Sequence, residues 1–150
     1  AEHLRRPSRQ HTSRRQVVSL TYLVDTDWII DHFHGVESVT RKLTELRPAG
    51  LAISVVSMAE LYEGIHYSRD PARGREVLAR FLDGVTVLPL DDGICDRFGL
   101  ERGRLRQQRL TVGDFDLLIA ATCLRHGLRL CSNNRRHFEM VEGLEIVSVA

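Results

Sequence analysis

The chain has 150 residues, 43% of them hydrophobic, with a formal net charge of +1, enough for one compact domain that buries about 70% of its unfolded surface without disulfides or a structural metal. Cys95, Cys123 and Cys131 are odd in number and form no Cys-x-x-Cys pair, which argues against a disulfide framework or a zinc ribbon and for reduced thiols. No apolar stretch reaches the roughly 18 residues of a membrane span and none near the N-terminus resembles a secretory core, so the expectation is a soluble, cytoplasmic protein with no membrane partner.

Residues 1–16 carry Arg5, Arg6, Arg9, Arg14 and Arg15 against Glu2, leaving 16 basic and 19 acidic residues for the body. Poor in apolar residues and rich in Ser, Gln, His and Arg, this arm reads as a disordered basic extension to a single domain over 17–150. The first strand is expected over Tyr22–Val24, a short apolar run that ends in Asp25. A helix follows over Asp27–His34, then a second over Val36–Leu46, closed by Pro48-Ala49-Gly50. Leu51–Ile53 reads as a strand that passes through Ser54 into a helix over Val56–Tyr67, with Met58, Leu61, Tyr62 and Ile65 at helical spacing. Asp70 as N-cap and Pro71 as first residue open a helix that stops at Asp83-Gly84, before a third strand over Val85–Leu88.

Asp91–Arg109 is polar and Arg-rich, with only Ile94, Phe98 and Leu105 as an apolar stripe, and reads as a solvated helical hairpin or surface helix. The most apolar helix spans Phe115–Leu124 and ends at Gly127; strand Leu128–Cys131, the turn Ser132-Asn133-Asn134, a short turn through Phe138 and strand Glu145–Val149 complete the chain. Strands and helices alternate without a repeat or a break in composition. The fold class expected is α/β, a three-layer domain with a central, mostly parallel sheet flanked by helices.

In such a sheet all strand C-termini open on one edge, where ligands bind. Asp25 after the first strand, Glu60 one turn into the helix after the second, and Asp116 at the start of the helix before the fourth can therefore converge there, joined by Asn134. Taken singly, each has an ordinary alternative: an acid in a first helical turn gains about 0.3 to 1 kcal/mol from the helix dipole, and Asn is common in turns. Asp114 and Asp116 cannot both face the crevice from regular helix, so Asp114 is assigned to N-capping and Asp116 to the site. Carboxylates gathered within about 4 to 6 Å repel by up to roughly 4 kcal/mol per pair, so a cluster of them calls for a bound cation. Oxygen donors alone suit Mg²⁺ or Mn²⁺, ions that activate water for phosphoryl chemistry.

Four segments, YLVDTDWII around Asp25, SVVSMAELYEG around Glu60, GDFDLLIAATCLRHGLRL around Asp116 and SNNRRHF around Asn134, together resemble PIN-domain ribonucleases. The resemblance covers about Val18 to Val149 and is nearest to the VapC-type toxins of bacterial toxin–antitoxin pairs. It implies the PIN-like fold, metal-binding acids at Asp25, Glu60 and Asp116, and a fourth site position at Asn134, where members carry Asp or Asn. Thr26 and Ser132 match small hydroxyl positions beside the site, with Asp114 a further neighbour of substrate or ligands; His137, where members often have Asp, reads as a surface residue. Also implied are Mg²⁺ (or Mn²⁺), hydrolysis of an RNA phosphodiester by an activated water to leave a 5′-phosphate and a 3′-hydroxyl, a homodimer, and inhibition by a cognate VapB-type antitoxin. Arg102, Arg104, Arg106 and Arg109 are candidate RNA backbone contacts or merely a solvated helix face. The alternatives are a PIN nuclease of RNA maturation outside toxin–antitoxin systems and an inactive RNA-binding PIN scaffold. A phospho-acceptor receiver domain is disfavoured, because VTVLPL ends without an acid and Lys42 is the sole lysine.

Overall fold

Short apolar runs cannot satisfy their backbone groups alone, and amphipathic helices must bury one stripe, so the two settle together as a sheet covered on both faces. The computed structural model, which describes residues 19–149, has this arrangement; the basic arm over 1–16 lies outside the described residues. Strands β1 (Tyr22–Val24), β2 (Leu51–Ser54), β3 (Thr86–Leu88), β4 (Arg129–Cys131) and β5 (Ile146–Val147) form one sheet in the order β3-β2-β1-β4-β5. Each neighbouring pair is parallel, with Leu23 opposite Ala52 on one side and Leu130 on the other.

The helices are α1 (Thr26–Phe33), α2 (Glu37–Leu46), α3 (Val55–His66), α4 (Pro71–Leu82), α5 (Asp92–Gln107), α6 (Asp114–His126) and the short α7 (Arg135–Phe138). Their bounds lie within about two residues of those expected from the sequence. Side chains alternate across the sheet. Leu23, Ala52 and Leu130 pack with Leu117, Ala120 and Phe138 beneath α5, α6 and α7. Val24, Ile53 and Cys131 pack with Trp28, Leu43 and Leu61 beneath α1 to α4. Both layers are closed, and Cys123 and Cys131 are buried free thiols within them.

One expectation needs correction. The Arg-rich stretch after β3 is a single helix, α5, and it is not simply solvated: Ile94, Glu101 and Leu105 are buried. They lie at positions i, i+7 and i+11, one face of a helix, and α5 packs against α6. The polar composition misleads because a buried carboxylate, Glu101, takes the place of an apolar residue in that stripe.

The chain moves from β1 outward to β2 and β3, then returns through α5 and α6 to β4 on the far side of β1. The strand order thus reverses between β1 and β4, and a crevice opens beyond their C-terminal ends. No helix among the described residues is long and apolar enough to cross a membrane.

Candidate active site

Asp25 ends β1 at this reversal and donates its backbone N–H to the Cys131 carbonyl at 2.9 Å, which stitches the mouth of the crevice to β4. It is the N-cap residue of α1, yet its side chain makes no capping bond. Asp70 and Asp91, by contrast, cap α4 and α5 through their carboxylates. A capping bond is worth about 1 kcal/mol, so Asp25 forgoes a stabilising use of its carboxylate. That carboxylate accepts instead from Ser132 Oγ at 2.7 Å, and the same Oγ accepts the backbone N–H of Asn134 at 3.0 Å. Asp25 is only 3% exposed. Burial pushes its pKa up to about 7; the Ser132 hydrogen bond opposes this, and the charges of Asp27 and Asp116 add to it.

Glu60 reaches the crevice from α3, which Ser54 caps through the Val56 N–H. The buried Thr26 hydroxyl donates to Glu60 Oε1 at 2.8 Å and lies 2.8 Å from Ser57 Oγ. A hydroxyl has one proton to give, so Ser57 donates to Thr26 and Thr26 to Glu60. The relay aims the carboxylate at the other acids; burial first, then Asp116, Asp27 and Glu63, raise its pKa against that hydrogen bond. Ser57 was missed in the sequence, although it stands one helical turn before Glu60 in the SMAE segment.

Asp116 lies half-buried in the first turn of α6, and its charge raises the pKa values of Asp25, Asp27 and Glu60. Asp114 does not cap that helix; Gly113 holds the N-cap position without a side-chain bond. Asp114 turns away to Arg102 Nη2 at 2.6 Å and is 79% exposed, as the i, i+2 spacing requires. Asn134 Nδ2 donates to His137 Nδ1 at 3.0 Å, and the same ring nitrogen lies 3.6 Å from Asp116 Oδ2. His137 is exposed, as the sequence suggested, but it borders Asp116.

Further residues belong to the crevice. Asp27, in the first turn of α1 as expected, is raised in pKa by partial burial and by Asp116 and Asp31. A cavity of about 510 Å³ is lined by Asp27, Trp28, Ile30, Asp31, Asn133 and Asn134, so Asp31 also touches the crevice margin. Asn133 accepts from Trp28 Nε1 at 3.1 Å and from the Val149 N–H at 3.0 Å, tying the β4 turn to α1 and to the C-terminal segment. A larger cavity of about 730 Å³ around Leu20, Arg97 and Arg129 lies at the opposite edge of the sheet, away from these acids.

The donor set suits a hard divalent cation: mutually repelling carboxylates, hydroxyls that orient them, and no lysine or arginine among the causes acting on Asp25, Asp27 or Glu60. Among the described residues no three acid, His or Cys side chains are already drawn to ligand spacing. Arg102 and Arg104 are committed within the protein, to Asp114 and the Val112 carbonyl and to Glu101 and the Met140 carbonyl respectively.

A parallel sheet in this order, with acids at the strand ends around its reversal point, defines a class of acid-lined α/β domains. The sequence model of the PIN domain matches residues 22–144, and the chain belongs to the PIN-domain family. It falls among the VapC-type members. Ribonuclease VapC10 of Mycobacterium tuberculosis is 40% identical over 124 residues, covering 82% of this chain and 90% of that protein. The tRNA(fMet)-specific endonuclease VapC of Shigella flexneri is 32% identical over 125 residues, covering 83% and 95% respectively. In solved structures, DNA-bound VapBC from Salmonella typhimurium matches with a TM-score of 0.79 and 27% identity, over 86% of this chain and 98% of that one.

Proposed function

We propose that this chain is an endoribonuclease, the toxin of a toxin–antitoxin pair, which hydrolyses RNA phosphodiesters with Mg²⁺ or Mn²⁺ held by Asp25, Glu60 and Asp116. The observation that carries this reading is the buried Asp25, surrounded by like charge and supported by the Ser132 hydroxyl and the Thr26 backbone with no cationic partner, at the reversal point of the sheet. Its VapC relatives are named as ribonucleases, which supports RNA as substrate.

Within this reading each side chain has a task. Ser132 fixes the Asp25 carboxylate and, through the Asn134 N–H, the turn after β4. Thr26 and Ser57 fix Glu60. Asn134 is neutral and orients water or a phosphate oxygen rather than adding charge. When bound, the cation lowers the pKa of a water and offsets charge on the phosphate oxygens. No side chain is needed as nucleophile. In-line attack by water on phosphorus breaks the bond to the 3′-oxygen, leaving a 5′-phosphate and a 3′-hydroxyl.

The Salmonella structure is of VapBC, which supports a VapB-type antitoxin as partner. An apolar groove of about 390 Å³, lined by Ile30, Phe33, Leu61 and Ile65, runs up to Glu60 and suits a segment that would cover the crevice. A homodimer acting in the cytoplasm completes the proposal.

The test is cleavage of RNA by the purified, antitoxin-free chain with either metal, alongside the Asp25→Asn and Asp116→Asn variants. Cleavage lost in both variants, and growth arrest on expression relieved by them, is the expected result. A wild-type protein inert with both ions, or variants that still cut, overturns the reading.

A further inference from the structure

The crevice contains one nitrogen donor that the acidic site does not require. His137 Nδ1 lies 3.6 Å from Asp116 Oδ2 and accepts a hydrogen bond from Asn134 Nδ2 at 3.0 Å. With the amide as donor, Nδ1 is the accepting nitrogen and faces inward between Asn134 and Asp116. The ring is not placed by chance: Phe138, its neighbour in α7, is fully buried, and Phe138 N–H bonds the Asn134 carbonyl at 3.3 Å. The side chain itself remains 53% exposed.

Adjacent donors around a six-coordinate ion with bonds near 2.1 Å stand about 3 Å apart. The Nδ1 and Oδ2 pair exceeds this by a few tenths of an ångström, a movement open to an exposed ring on a rigid anchor. At 3.6 Å the contact is too long for a hydrogen bond, so the pair is not held by its own interaction. Asn134, the other partner, has a neutral side chain that can give up Nδ1 at small cost.

We propose that His137 Nδ1 is a ligand of the cation that Asp116 holds, converting an all-oxygen site into a mixed nitrogen and oxygen site that prefers Mn²⁺ over Mg²⁺. Mg²⁺ favours oxygen and parts reluctantly with its waters, whereas imidazole binds readily to first-row transition ions. His137 thereby sets which cation the protein takes up, whatever RNA it cuts. The inference rests on the metal-site reading above.

The test is direct binding, measured by calorimetry and by pulsed electron paramagnetic resonance of Mn²⁺ added to the full antitoxin-free chain. The wild type should show nitrogen-14 modulation from a coordinated imidazole, and His137→Ala should lose it. Mn²⁺ affinity should fall in that variant by at least the roughly 10-fold seen when a group that merely orients a ligand is removed. Mg²⁺ affinity should change far less. His137→Asp should restore tight binding without nitrogen modulation and shift preference toward Mg²⁺. Mn²⁺ binding that depends on Asp25 but shows no nitrogen modulation, with an unchanged Mg²⁺ to Mn²⁺ affinity ratio in His137→Ala, overturns the role of His137 and leaves the metal site intact. Absence of Mn²⁺ binding in the wild type overturns both.

Discussion

Asp25 and Glu101 are almost equally buried, 3% and 4% exposed, in regions that treat a carboxylate in opposite ways. Along the seam of α5, Glu101 meets Arg104 at 3.0 Å, and Arg104 in turn bonds the Met140 carbonyl at 2.7 Å. The buried carboxylate there has a cationic partner from the same chain. At the end of β1, Asp25 has a serine hydroxyl and the fields of Asp27 and Asp116, and its pKa rises to about 7. Burying a charge is costly unless it is paired. A fold that supplies the partner has used the acid for packing, and the acid left without one, Asp25, is the residue proposed above to hold a cation.

The two carboxylates should therefore fail differently when changed. Asp25→Asn should reduce RNA cleavage on the order of 10³-fold or more, as removal of a main electrostatic contact in a catalytic site does. It should also raise the melting midpoint of the metal-free protein at pH 8 by a few degrees, because it removes an unpaired buried charge. Glu101→Ala should do the reverse. It leaves Arg104 without its buried partner and should cost about 2–3 kcal/mol, a drop of roughly 8 °C in midpoint, while cleavage at 20 °C stays within about 3-fold of wild type. Calorimetric melting and a cleavage time course on both variants check the pair. If Glu101→Ala abolishes cleavage in a folded protein, the division between packing acid and site acid is wrong.

The contrast also has a pH signature. A carboxyl whose pKa is raised by folding from 3.8 to about 7 contributes stability that is complete below its unfolded value and is lost as pH rises through 7. The metal-free wild type should thus lose stability relative to Asp25→Asn between about pH 4 and 7, then run parallel to it above pH 8. Saturating divalent ion should flatten the difference. Parallel curves across the whole range would show that Asp25 carries no such burden.

Much of this was legible in the sequence because it rests on local pattern. Tyr22–Val24 ends in an acid, Glu60 lies one turn into α3, and Asp116 sits in the first turn of α6, so strand ends and helix starts placed the acids before any distance was known. Residues whose meaning depends on a distant partner were not legible. Ser57 in a helix looks like any small buried residue until Thr26 is set 2.8 Å away. Asn133 looks like a turn residue until it joins Trp28 to Val149. Glu101 lies in an Arg-rich run that reads as a solvated surface, and only packing against α6 shows the acid to be buried. Asp27 was correctly placed in the first turn of its helix, but its coupling to Asp116 crosses the crevice and has no sequence signal.

The smallest effect should come from Asp114, two residues from Asp116 and chemically identical to it. Its carboxylate is 79% exposed and held by Arg102 at 2.6 Å on the outer side of α6. Exposed ion pairs contribute about 0 to 1 kcal/mol, and salt screens them. Arg102 keeps its bond to the Val112 carbonyl and its place over the Phe98 ring when Asp114 is changed. Asp114→Asn should accordingly shift the melting midpoint by no more than about 2 °C and leave cleavage within about 2-fold of wild type, where Asp116→Asn abolishes it. A loss of cleavage in Asp114→Asn that persists at high salt would mean that Asp114 swings inward when RNA binds, which would make Arg102 a latch for an acid of the site.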